Sequence, residues 1–242
     1  MTLLDALREK PAKEAVVVWA AIIALLAVGK VTIGLLPFGG SIVGAAAVAL
    51  FLWAPVEIGR RLGRAESDYG LSLRNWPRDV LCATLVMAVV FPLFVMGFRA
   101  FLWMLDHEIP REVSRYLVPY GSSSNFTWRP PKELFDKVAG NIAVALGEEF
   151  FYRGYVMERL LVAYPPRARV LGAPFGKAAL LQTVLFAAGH LLTPQAFRLG
   201  TFFPVLLFTW MAVRAGGVLP GAIVHAASNL LIATLEASAF GP

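Results

Sequence analysis

Seven stretches of nearly unbroken apolar sequence alternate with polar segments along the chain. A helix needs about 20 apolar residues to cross a hydrocarbon core of roughly 30 Å. The runs 15–36, 41–58, 80–105, 137–162 and 218–240 meet or approach that length, while 178–192 and 201–213 fall short. The two short runs predict tilted helices or a locally thinned bilayer. The pattern therefore predicts an all-α, polytopic transmembrane helix bundle of about seven spans, with six to eight allowed because the 178–214 region accommodates one more or one fewer. It forms one membrane-embedded domain over 1–242. A C-terminal core over about 137–240 follows N-terminal spans within 15–105 and an extramembrane loop over 106–136.

Punctuation between the runs sharpens this outline. Pro37-Phe38-Gly39-Gly40 predicts a tight turn, and Pro92 predicts a kink in the third span. Gly44-Ala45-Ala46-Ala47 in the second span suits close helix packing. Lys30 interrupts the first span and is expected to snorkel or to face the bundle. Within the loop 106–136, a short amphipathic helix is expected around 111–117. Asn125-Phe126-Thr127 matches a glycosylation sequon, a pattern too short to carry weight. The segment 165–177 reads as a basic loop with Pro and Gly.

Composition agrees with this pattern: 58% of residues are hydrophobic and the mean hydropathy is +0.66. The net charge of +6 marks cytoplasmic loops in a membrane protein rather than a nucleic-acid surface. The basic faces are the N-terminus, 59–79, 159–177 and Arg214. Alternating seven spans brings all four to one side, which predicts a multi-pass protein of the cell membrane with a cytoplasmic N-terminus. The first apolar run is long and a second follows at once, so it reads as a retained span rather than a cleaved leader. A single cysteine, Cys82, rules out an intrachain disulfide framework and a Cys-rich metal site.

Charged side chains at a bilayer centre cost about 2.5–3.5 kcal/mol each, so those inside the spans are functional candidates. They concentrate in the C-terminal half: Glu148, Glu149, Arg153, His190, His225 and Asn229 form the polar set. Glu149 and Arg153 are i and i+4, share a helix face, and can neutralise each other. Taken alone, that pair is equally consistent with a lock between two helix turns. Glu148 projects about 100° away, and so stands without a partner on its own helix. Phe186/His190 and His225/Asn229 repeat the four-residue interval on two further helices, with Phe186 expected to pack, against the His190 ring. Three helices can then gather Glu148, His190, His225 and Asn229 around one water. A carboxylate and imidazole would activate it, and an imidazole and amide would stabilise an oxyanion. His-Glu-x-x-His and Gly-x-Ser-x-Gly are absent, no Asp lies deep in a span, and Ser122 to Ser124 have no His nearby in sequence. The same polar set also suits a proton relay in a transporter, or a non-catalytic scaffold that binds membrane peptides.

In order, Glu148-Glu149-x-x-x-Arg153, Phe186-x-x-x-His190 and His225-x-x-x-Asn229 resemble the three signature motifs of the CPBP family. These are the CAAX protease and bacteriocin-processing, or ABI, proteins, which include the type II CAAX prenyl endopeptidases. The resemblance covers about 141–231 and implies a glutamate-dependent intramembrane endopeptidase. By motif position Glu148 would be the general base acting with His190, His225 and Asn229 would form the oxyanion site, and Glu149 and Arg153 would orient the cluster. No cofactor is implied. Zinc held by Glu and two His is the alternative to the favoured metal-free reading. The partners implied are the lipid bilayer and a protein or peptide substrate with a membrane-associated C-terminal segment. High Ala, Gly, Arg and Leu content suggests a GC-rich bacterial source, where CAAX prenylation is not expected. Cleavage near a C-terminal transmembrane sorting signal, as in the myxosortase-like branch, is the expectation that follows.

Overall fold

The structure is a computed structural model that describes residues 9–64, 69–110, 112–113, 126–193 and 196–240. Helices α1 (Pro11–Thr32), α2 (Gly39–Arg61) and α3 (Trp76–His107) account for the first three spans. The fourth is one long rod in three parts: α4 (Leu134–Glu149), a π-helical segment (Phe150–Val156) and α5 (Met157–Ala163). Helices α6 (Lys177–Gly189), α7 (Phe202–Ala215) and α8 (Leu219–Phe240) complete the bundle. Two 3-10 turns, His190–Leu192 and Ala196–Thr201, lie between α6 and α7. Helices α1, α2, α3 and α8 are long and apolar enough to cross a membrane, whereas Lys177–Leu192 and Phe202–Ala215 are shorter apolar helices. The expected short fifth and sixth elements are therefore present as helices.

Three details differ from the sequence reading. Residues 165–177, read as a loop, contain an antiparallel hairpin that pairs Ala168 with Phe175 and Val170 with Ala173. Alternation over three-residue strands is too short to register as a strand pattern. The first helix begins at Pro11 rather than 15, because proline at its first turn is compatible with a helix start. Glu14 thereby falls inside the bundle and is fully buried. The fourth span changes helix type midway instead of running as a uniform α-helix. The expected short helix at 111–117, Asn125 of the sequon, Ser122 to Ser124 and the first eight residues lie outside the described residues, apart from 112–113.

The tight turn after α1 does require glycine. A Cβ on Gly39 would sit 1.9 Å from the Ile33 carbonyl oxygen, and no side chain fits there. Helix α8 packs against α4, α3 and α7, while α6 packs against α5 and α7. Helix α1 packs against α5 and α2. One buried core joins α1, α2, the π segment, α5 and α6. A second joins Ala83 of α3 to Phe208 and Met211 of α7 and Val224 of α8. The outer face of α3 leaves Leu85, Val89, Leu93 and Met96 exposed, as a lipid-facing surface should.

The basic segments meet at one end of the bundle. Arg64 donates to both carboxylate oxygens of Glu14, at 2.6 and 2.9 Å. The Val218 N–H donates to the Gly70 carbonyl at 2.9 Å. Trp210 Nε1, one turn before Arg214, donates to the Val170 carbonyl of the hairpin at 2.9 Å. The first turn of α1, residues 59–64 and 69–79, the hairpin within 159–177 and the turn after Arg214 are thus neighbours in space.

Candidate active site

The polar cluster is built around the point where α4 gives way to the π segment. A π turn inserts extra backbone into a helix, and such insertions often accompany functional sites. Here all seven residues from Phe150 to Val156 are buried. Phe151 stacks on Phe51 of α2 with centroids 4.9 Å apart, and Phe150 meets Tyr69 edge-on at 5.5 Å. Gly154 lets the backbone of 69 approach, since a Cβ there would lie 2.4 Å from the Tyr69 carbonyl oxygen. The glutamate pair therefore stands at the end of a tightly packed wedge of aromatic side chains.

Glu149 is fully buried. Its Oε1 lies 3.0 Å from Arg153 Nη1 and accepts from His225 Nδ1 at 2.9 Å. A carboxylate can only accept here, so His225 carries its hydrogen on Nδ1. The Arg153 guanidinium is sandwiched by aromatic rings, 4.5 Å from the Phe186 centroid and 5.7 Å from that of Phe208. These faces add cation–π attraction to the ion pair. Among the described residues, the Arg153 Nε and Nη2 groups find no acceptor, nor does Glu149 Oε2 find a donor. Charge pairing and ring faces thus replace a full set of hydrogen bonds.

Glu148 projects differently. Its side chain retains 17% exposure, and its Oε2 lies 3.6 Å from His225 Nε2. His225 consequently sits between the two adjacent glutamates, with one ring nitrogen toward each. Its ring stacks on Phe208 at 5.0 Å and 21°. This bridging position is invisible to helix periodicity, because it depends on how α8 docks against α4.

His190 occupies the 3-10 turn at the end of α6. Its Nδ1 donates to the Phe186 carbonyl at 3.1 Å, which leaves Nε2 for another partner. Its ring stacks on Phe186 at 4.5 Å and 28°. Phe186 in turn meets Tyr152 of the π segment at 4.8 Å. Phe186 is thus the packing hub that joins His190, Arg153 and the π segment.

His190, His225, Asn229 and Phe186 all line one cavity of about 490 Å³. Its other walls are largely apolar: Val90, Phe91 and Phe94 from α3, Phe203, Leu207 and Phe208 from α7, and Leu231 and Ile232 from α8. Ser228 joins the polar wall; its hydroxyl donates to the Val224 carbonyl at 2.7 Å. Glu148 reaches this group through His225, and no hydrogen bond or ion pair joins it to His190. Among the described residues, no group of three or more His, Cys, Asp or Glu is arranged to hold a metal ion.

Sequence reasoning missed a second buried cluster. Glu14 accepts from Tyr155 Oη at 2.7 Å as well as from Arg64. Glu14 lies in a charged N-terminal stretch of the sequence, and helix periodicity carries no signal for it because its partners are 50 and 141 residues away. Gln182 of α6 is also fully buried and accepts from Thr209 at 2.6 Å.

Residues 130–231 match the family model described as type II CAAX prenyl endopeptidase, Rce1-like. No curated protein and no solved structure matches the chain. The matched stretch contains Glu148, Glu149, Arg153, Phe186, His190, His225 and Asn229, and it leaves α1, α2 and α3 outside. Over residues 130–231, this chain is similar to the Rce1-like type II CAAX prenyl endopeptidases.

Proposed function

We propose that the chain hydrolyses a peptide bond in or near the C-terminal membrane-anchoring segment of a protein substrate, with Glu148 as general base. The observation that supports this reading is the bridging of Glu148 and Glu149 by His225, at the wall of an apolar cavity shared with His190 and Asn229. One glutamate is locked by Arg153 and His225, while the other keeps partial exposure and a looser contact. That asymmetry suits a structural carboxylate beside a reactive one.

In this mechanism, Glu148 and His190 hold a water from either side. Glu148 accepts its proton as the oxygen attacks the scissile carbonyl carbon. Negative charge moves to the carbonyl oxygen, where the Asn229 amide and, in the doubly protonated ring, His225 Nε2 donate to it. Collapse of the tetrahedral species breaks the C–N bond, and protonated Glu148 returns its proton to the departing nitrogen. Glu149 accepts from His225 Nδ1 and, with Arg153 beside it, keeps the ring in one orientation. The sequence of steps requires no metal.

The substrate reading draws on the cavity walls. Side chains of α3 and α7 pack together around Ala83, Phe208 and Met211, and Val90, Phe91 and Phe94 face Phe203 and Phe208 across the walls of the cavity. A cleft with those walls favours an apolar helical or extended segment over a polar peptide. We place the basic end of the bundle in the cytoplasm of a bacterial cell, following the positive-inside rule, and assign substrates to the myxosortase-like class with a C-terminal transmembrane sorting signal. The test is mass spectrometry of membrane-protein C-termini in cells carrying wild type or Glu148→Ala. New C-termini present only with wild type are expected. Identical C-termini in the two strains refute the reading.

A further inference from the structure

We propose that α1 is a brace that sets the distance between the two halves of the catalytic apparatus, with Glu14 and Lys30 as positioning residues. The proposal rests on the assignment of Glu148 and His190 to catalysis. It concerns a helix outside the family-matched residues.

Three contacts carry it. Near its N-terminus, α1 presents Glu14 to Tyr155 Oη at 2.7 Å, and Arg64 closes the cluster. Tyr155 belongs to the π segment that begins directly after Glu149. Near its C-terminus, Lys30 Nζ donates to the Leu192 carbonyl at 2.7 Å and to Thr193 Oγ1 at 3.0 Å. These are the two residues that end the turn carrying His190. Between the ends, Ile23 and Trp19 press on Gly189, the residue before His190. A Cβ on Gly189 would lie 3.3 Å from Ile23 Cδ1 and 2.8 Å from Tyr152 Oη. One continuous helix thus touches the Glu148-bearing rod at one end, the His190-bearing turn at the other, and their junction in the middle.

The physical logic is that each tether meets an otherwise costly need. A carbonyl at a helix end lacks an internal donor, and a cation there is favoured by the helix dipole; Lys30 supplies both. A buried carboxylate requires compensating donors, and Tyr155 and Arg64 supply them. Sixteen residues separate Glu14 from Lys30, about 24 Å along an α-helix. Hydrogen-bonded tethers at both ends of a rod of fixed length restrict rotation and sliding of α4 relative to α6. No hydrogen bond or ion pair joins Glu148 to His190, so their separation must be fixed by elements outside the pair.

The test uses Lys30→Met, Lys30→Arg and Tyr155→Phe in the full-length protein reconstituted in lipid, with cleavage measured against substrate concentration. Loss of alignment by about 1 Å costs up to about 100-fold in rate. Lys30→Met and Tyr155→Phe are each expected to lower kcat between about tenfold and a hundredfold, with KM within about twofold. Lys30→Arg is expected to restore kcat, because a guanidinium can donate to the same two oxygens. A second measurement is independent of activity: spin labels at exposed Ile142 and Leu191 in a Cys82→Ser background report the separation of α4 from the His190 turn. The distance distribution should broaden in Lys30→Met and return in Lys30→Arg. An unchanged kcat in Lys30→Met, or an unchanged distance distribution, overturns the brace. If wild type shows no Glu148-dependent cleavage, the catalytic reading fails by itself, and the distance measurement still decides the brace.

Discussion

The two adjacent glutamates should separate stability from turnover. In Glu149→Gln, a carboxylate with no exposure loses its charge while Arg153 remains buried beside it. The amide oxygen can still accept from His225 Nδ1, but its NH₂ adds two donors where Glu149 Oε2 has none, 2.9 Å from the place a Cβ on Gly221 would occupy. Removing one partner of a buried pair costs about 3–5 kcal/mol. Against a total stability of roughly 5–15 kcal/mol, this is a large loss, and for a chain of this size it lowers the Tm by roughly 6–20 °C. Glu148→Gln removes a charge with partial exposure and a 3.6 Å contact, so its cost is at most about 1 kcal/mol. Losing a general base instead lowers kcat by about 10²–10⁴. The assay pairs thermal unfolding in detergent, followed by intrinsic fluorescence, with cleavage of a reconstituted substrate. The reasoning is refuted if Glu148→Gln destabilises as much as Glu149→Gln, or if Glu149→Gln leaves the Tm unchanged.

Other outcomes follow from the same packing. Gly154→Ala should destabilise by at least about 1–3 kcal/mol, because the new methyl would meet the Tyr69 carbonyl at 2.4 Å; denaturant titration checks this. Phe186→Ala should cost about 3–5 kcal/mol and also lower kcat, since one ring supports His190, Tyr152 and Arg153; the split appears when activity is normalised to the folded fraction. Thr209→Val leaves the buried Gln182 oxygen without its donor and should cost about 1–3 kcal/mol, whereas Gln182→Leu with Thr209→Val should be close to neutral; a double-mutant cycle on Tm measures the difference. Leu207→Trp fills part of the 490 Å³ cavity and should raise KM for a long apolar substrate segment more than for one shortened to small side chains, read from initial rates.

Much of the architecture was legible because membrane helices are dictated by local composition. A run of 20 apolar residues has few alternatives in a bilayer, where each backbone polar group must be bonded internally. That rule predicted each helix of the bundle within a few residues, including the two short ones. Helical periodicity likewise gave the Glu149–Arg153 pair and the face on which Glu148 stands apart, because both are properties of a single helix. The hairpin at 168–175 and the 3-10 turns were not legible, since they are too short for any period to show.

The sequence by itself determined which polar side chains would be costly to bury, and therefore which ones mattered. Only tertiary structure decided who meets whom. Nothing within one helix announces that His225 would lie between Glu148 and Glu149, because that contact joins residues 76 positions apart. Glu14 looked like one charge among several near the N-terminus until the fold set it against Arg64 and Tyr155. Lys30 had two permitted fates, and the docking of α1 beside the His190 turn selected one. The reason is common to all three cases. Periodicity assigns a face to a side chain within its own helix, but the partner on that face is chosen by how whole helices pack.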